Sequence, residues 1–112
     1  MPTFQATGVG TTGTAVATQA AVADSQHVVT NIAGHADADC VITIESPADT
    51  VLWQSALDIS VEGFKFGFSG LRIHGVKGQA IVGKTSAAAA DSQVTINGET
   101  IVGTFARGES SP

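Results

Sequence analysis

His35-Ala36-Asp37-Ala38-Asp39 sets three potential metal ligands on alternate residues of one short segment. Alternate side chains of an extended backbone share a face, so an imidazole and two carboxylates would converge there on zinc or calcium. The same residue types also favour turns, because Asp bonds the backbone close by. The segment reads as a polar turn between strands. Gly8-Val9-Gly10-Thr11-Thr12-Gly13 has the spacing of the dinucleotide fingerprint. That motif works where a buried strand feeds the glycine turn and a helix follows, so that helix amides meet a pyrophosphate. Residues 1–7 are too few and too polar for a central strand, and no alternating helices follow. The nucleotide reading is set aside.

The remaining reactive side chains are isolated. His27 and His74 lie in strand-like runs and read as hydrogen-bonded sheet histidines. Ser60, Ser69 and Ser92 sit in no nucleophile motif. Cys40 is the single cysteine, which excludes an intramolecular disulfide and a cysteine zinc cluster. It alternates with Ile42 and Ile44 and reads as a small buried hydrophobe. Phe64, Phe66 and Phe68 could form a stacking platform, but their period of two on a strand reads as core. Trp53 either caps the core or anchors an interface. No residue is assigned a catalytic, cofactor-binding or metal-ligating role. The chain reads as no enzyme and as needing no cofactor.

Composition points the same way. The 112 residues suit one domain, and only 13% of them are charged, against about 25% in typical domains. Charge is depleted in the cores of protein interfaces, so much of this surface is expected to meet other protein. The net charge is −5, and the five basic residues Lys65, Arg72, Lys77, Lys84 and Arg107 are scattered. Nucleic-acid binding needs clustered cations and is not expected. No apolar stretch approaches the ~18 residues of a membrane span, and the N-terminus lacks the basic start of a signal peptide. The chain reads as made and used inside a cell, or assembled there into something larger.

These side chains must be held by strands. Met1 to Ala23 carry no charge, and residues 1–25 read as an extended N-terminal arm. Thr14 to Val22 would lie as an edge strand within it, although its alanines also allow a helix. A β-domain is expected over 26–104, and residues 105–112 form a polar tail. Strand-like runs are His27–Ile32, ending at Gly34, then Cys40–Glu45, Thr50–Gln54, Leu57–Val61, Phe64–Phe68, Leu71–His74 and Gln79–Thr85. The last pair, Gln93–Ile96 and Glu99–Val102, flanks Asn97-Gly98, the strongest short hairpin signal. About eight short strands at 8–12-residue spacing predict an all-β fold: a single antiparallel β-sandwich, jelly-roll-like, with the arm attached.

The ordered pieces also resemble a known group. They are the neutral arm, His27-Val28-Val29-Thr30-Asn31-Ile32, Cys40-Val41-Ile42-Thr43-Ile44-Glu45, Phe66-Gly67-Phe68-Ser69-Gly70-Leu71, Gly78-Gln79-Ala80-Ile81-Val82, and the Ala-rich loop before Val94-Thr95-Ile96-Asn97-Gly98. Over roughly residues 15–104 the chain is similar to the small β-sandwich decoration, or cement, proteins of tailed bacteriophages. The resemblance implies a jelly-roll-like sandwich on the outer capsid surface of the virion. Its partners would be the major capsid protein and copies of itself, as a homotrimer, with no nucleic acid and no membrane. Family members offer no catalytic residues to carry over. The arm would supply lattice contacts, and removing Pro2 to Ala23 would leave a folded domain that binds capsids poorly. The other reading is a carbohydrate- or ligand-binding sandwich using Trp53 or the Phe row, or another small phage head or tail protein.

Overall fold

A computed structural model describes residues 3–10, 14–86 and 91–102. Two antiparallel sheets face each other. The nine strands are β1 (Thr3–Gly10), β2 (Val16–Gln19), β3 (Ser25–Ala36), β4 (Cys40–Glu45), β5 (Val51–Leu57), β6 (Lys65–Phe68), β7 (Ile73–His74), β8 (Ile81–Thr85) and β9 (Ser92–Val102), with one helical turn, α1 (Ile59–Glu62), after β5. The larger sheet runs β1-β9-β3-β6, with β7 also on β3, and the smaller runs β2-β8-β4-β5. Strands near the start pair with strands near the end: β1 with β9, β2 with β8, β3 with β6 and β4 with β5. This nested order is a chain folded double and rolled up, the jelly-roll arrangement.

Alternation builds the core. Cys40, Ile42 and Ile44 of β4 and Ile81 of β8 are buried on the smaller sheet, and Val29 and Ile32 of β3 and Val94 and Ile96 of β9 are buried on the larger sheet that faces it. Leu57 and Phe66 close the layer. Ten fully buried side chains in this set and around it are Val, Ile or Leu, which fit a pleated surface packed on one side.

The N-terminal segment departs from the arm expected above. Thr3–Gly10 pairs with β9 over its whole length, and Val16–Gln19 pairs with β8. Its neutral residues have a period of two. Ala15 and Ala17 are fully buried, while Thr14, Val16 and Thr18 are exposed. Ala15 and Thr85 lock the two ends together: the Ala15 N–H donates to the Thr85 hydroxyl, and the Thr85 N–H donates to the Ala15 carbonyl. One segment thus supplies an edge strand to each sheet. Gly8 permits this, because a Cβ there would overlap the carbonyl of Val16 where β1 passes β2.

The Asn97-Gly98 hairpin is also absent. β9 is one strand of eleven residues running straight through the pair. Gly98 lies where a Cβ would overlap the Val28 carbonyl oxygen and stand 2.8 Å from the Phe4 ring. The register of β3 against β9 shifts there between Val29 and Asn31, leaving Thr30 as an extra residue. The glycine therefore marks a bulge and a close backbone approach, which the same residue signals as readily as a turn.

Other bounds shift for local reasons. β3 continues past Gly34 to Ala36, and Val51–Leu57 is one strand in place of two runs. The alternation of Leu57 to Val61 does not continue as strand. Asp58 caps α1, its carboxylate accepting from the Ser60 N–H at 3.0 Å. The Ala-rich connection at 87–90 and the tail at 105–112 lie outside the described residues.

Candidate functional site

His35, Asp37 and Asp39 do not converge. His35 is exposed at the end of β3, opposite Lys65 on one side and Gln93 on the other. The Asp37 carboxylate accepts the Asp91 N–H at 3.1 Å, and Asp39 accepts the Ile59 N–H at 3.0 Å. Both aspartates tie loops at one end of the sandwich. Among the described residues no three His, Cys, Asp or Glu side chains are grouped to hold a metal ion. Gly8 and Gly10 lie within β1, antiparallel to β9, and Gly13 is outside the described residues. The nearest following element is strand β2, so the strand-turn-helix context of a dinucleotide site is missing.

His27 is 1% exposed and fully satisfied. Its Nε2 lies 2.7 Å from the Ala20 carbonyl and its Nδ1 lies 2.8 Å from the Thr100 hydroxyl. A carbonyl only accepts, so Nε2 carries a proton and donates to it, while Nδ1 shares its hydrogen bond with the Thr100 hydroxyl. Phe4 meets the imidazole edge-on, with ring centroids 5.3 Å apart. The ring pins the β2–β3 connection to β9 and has no free nitrogen for catalysis. His74 is half-buried, with Nδ1 3.5 Å from the Gln26 amide oxygen.

The Phe row is divided by the fold. Phe66 is in the core, Phe68 is half-buried and Phe64 is exposed. Trp53 of β5 meets Phe68 of β6 edge-to-face, with centroids 5.1 Å apart and planes at 70°. The contact bridges the two sheets on the side away from β1 and β2, so Trp53 caps the core there. Cys40 is buried, and burial, helped by the charge of Asp39, pushes its thiol up from the ordinary range. Such a thiol is a poor nucleophile.

A polar cluster missed by sequence reasoning surrounds Glu45, which is 2% exposed. Its carboxylate accepts the Asp49 N–H at 2.7 Å and the Thr43 hydroxyl at 3.2 Å, and pairs with the Lys84 ammonium at 3.1 Å. Burial pushes this carboxyl up, but the Asp49 N–H, Lys84 and Thr43 outweigh it and hold the group below the ordinary range. The Glu45 bond conversely pushes Lys84 up. Next to it the Ser46 hydroxyl donates to the Ala80 carbonyl at 2.7 Å and accepts the Val76 N–H at 2.9 Å. These groups staple the 46–50 turn and the 75–80 segment to the sheet. Opposite charges at outward positions of Cys40–Glu45 and Ile81–Thr85 were the available signal, legible only once β4 is known to pair with β8.

One face left without a role is the outer face of the β1-β9-β3-β6 sheet. Register places Gln5, Asn97 and Asn31 in one cross-strand row, Thr7, Thr95 and Ala33 in the next, and Val9, Gln93 and His35 beyond. The Thr7 and Thr95 hydroxyls bond each other at 2.8 Å. Charge stays at the margins: Lys65 follows His35 on the edge strand, and Glu99 lies 4.0 Å from Arg72 at the other end.

No family model and no curated protein matches the sequence. Among solved structures the chain is similar to the Yersinia pseudotuberculosis-derived mitogen. The identity is 9% and the TM-score 0.35, over 97% of this chain and 92% of that one.

Strand alternation made the uncharged face readable one strand at a time. Its continuity was not readable, because β1 comes from the segment expected to be an arm. What the assembled face offers chemically is a grid of amides and hydroxyls that donate and accept without the desolvation cost of a charge.

Proposed function

We propose that this chain is a structural virion protein, a capsid decoration or cement protein that binds the outside of a tailed-phage head lattice and stabilises it. The observation that carries the reading is the uncharged outer face of the larger sheet, built from Gln5, Thr7, Gln93, Thr95, Asn97 and Asn31. Depletion of charge is the mark of an interface core, and neutral amides and hydroxyls are cheap to desolvate when paired. The jelly-roll order agrees in architecture with the resemblance to cement proteins, although that fold serves many functions. Stabilisation would follow mass action: a protein that binds only the assembled lattice raises the stability of that state. The partners are the major capsid protein and further copies of the chain, a trimer being the state the resemblance implies.

The test is co-sedimentation of the purified chain with heads of the phage that carries it. Wild type is expected to decorate the heads, and Gln5→Lys with Gln93→Lys is expected to lose occupancy at unchanged thermal stability. Heads that stay bare with wild type, or decorate equally with the variant, sink the proposal. A glycan array run alongside reads out the carbohydrate-binding alternative.

A further inference from the structure

We propose that Asn97 is a self-modification site: its side-chain amide becomes a carboxylate through a cyclic imide with the Gly98 nitrogen, and the sheet holds this reaction off while β9 is paired. Asn97-Gly98 makes no turn, because β9 runs straight through it. In the reaction the Gly98 nitrogen attacks Cγ of Asn97. The N–Cγ bond forms, the Cγ–Nδ2 bond breaks, and Nδ2 leaves as ammonia with the Gly98 amide proton. Water then opens the ring at either carbonyl. One opening gives an aspartyl residue. The other gives an isoaspartyl residue, whose main chain runs through Cβ and Cγ. Water is the co-reactant, and nothing is oxidised or reduced. Glycine makes the step accessible, since no Cβ stands beside the attacking nitrogen. The second asparagine of the chain, Asn31, precedes Ile32. The stiff, branched side chain of Ile32 crowds the corresponding nitrogen.

The fold opposes ring closure. Closure swings the Asn97–Gly98 peptide nitrogen under the side chain, far from the ψ of ~+135° that an antiparallel strand imposes. Asn97 and Gly98 pair with Gln5 and Phe4 of β1 on one side, and with Asn31 and Val29 of β3 on the other. The Asn97 carbonyl, which must move with that peptide, accepts the Thr30 hydroxyl at 3.3 Å. Gly98 is buried with the Val28 carbonyl against it. The reaction therefore runs from chains in which β9 has left the sheet, at a rate set by the population of that open state. Its outcome is one-way. The aspartyl product adds a carboxylate to the face that carries Glu99, two residues along the strand. The isoaspartyl product adds a carbon to the main chain of a strand paired on both sides, so the ladders to β1 and β3 lose register beyond it. Asn97 thus marks chains that have come open. The inference does not rest on the capsid reading.

Peptide mapping by mass spectrometry tests it. The full chain is aged at mildly alkaline pH, once in native buffer and once in guanidinium chloride, and then cut with trypsin. Fragments 1–65 and 85–107 separate Asn31 from Asn97. In denaturant the Asn97 fragment should exchange its amide for an acid and appear as two isomers of one mass, while the Asn31 fragment stays unchanged. In native buffer the same conversion should be slower by at least about a hundredfold, as opening of a central strand is rare. Asn97→Gln should keep its fragment intact in denaturant, because the longer side chain must close a larger ring. On dilution from denaturant, chains with intact Asn97 should recover the circular dichroism melt of the native protein, and isoaspartyl chains should not. Equal rates in the two buffers, an Asn97 that survives denaturant, an Asn31 that converts as fast, or isoaspartyl chains that refold to the native melt overturns the proposal.

Discussion

Single residues in this chain do structural work that their types alone do not announce. Gly98 is the sharpest case. Replacing it by Ala drives a methyl into the Val28 carbonyl and against Phe4. The expected loss is about 1–3 kcal/mol, the range of overpacked cores, read as a lower urea midpoint. A Gly98→Ala chain as stable as wild type would show that the close approach is slack. Glu45 gives a pH signature. Its folded-state carboxyl is held down, so its contribution is present above the unfolded value near 4.5 and is lost as pH falls through the lower folded value. Lys84 is held up, so its contribution is present below the unfolded value near 10.5 and is lost as pH rises through the higher folded value. Glu45→Gln should therefore cost about 1–3 kcal/mol at neutral pH and flatten the acid limb of the stability profile. Parallel acid limbs for the two proteins would place the linkage elsewhere. His27, by contrast, was legible as a satisfied sheet histidine, although its partners Ala20 and Thr100 were not.

At the scale of elements, the N-terminal segment changes the most. A chain lacking Pro2 to Ala23 loses the edge strand of each sheet, the buried Ala15 and Ala17, and the Ala20 carbonyl that holds His27. Circular dichroism and urea titration of that truncation should show no cooperative transition. A melt within a few degrees of the full chain would restore the independent arm. The strand identities Cys40–Glu45 and Gln79–Thr85 were legible because one face of each is buried and the alternation is clean. Leu57 to Val61 alternates equally well, yet Asp58 captures the Ser60 N–H and starts a helical turn. A local side-chain hydrogen bond decided there against the hydrophobic period. Asn97-Gly98 failed for a related reason. Glycine marks any place where a Cβ is forbidden, and both a turn and a bulge forbid one.

At the scale of the whole molecule, the low charge acquires a location. The neutral residues of β1, β9 and β3 share one face, with Lys65 and the Arg72–Glu99 pair at its margins and Glu45 and Lys84 in the staple. A lattice contact made through such a face should depend little on salt. Head binding is expected to change by less than about threefold between low and physiological ionic strength, whereas a charge-driven contact would weaken far more as the Debye length shrinks. Occupancy that collapses with added salt would move the contact to the charged rim. The sequence by itself determined an all-β sandwich and the inward rows of Ile and Val, because those depend on alternation within a strand. Only the tertiary structure decided that the uncharged N-terminal residues are two edge strands, that Gly98 is a bulge site, and that Glu45 meets Lys84. Each of these depends on which distant strands pair, and a two-residue period says which way a side chain faces without naming its neighbour.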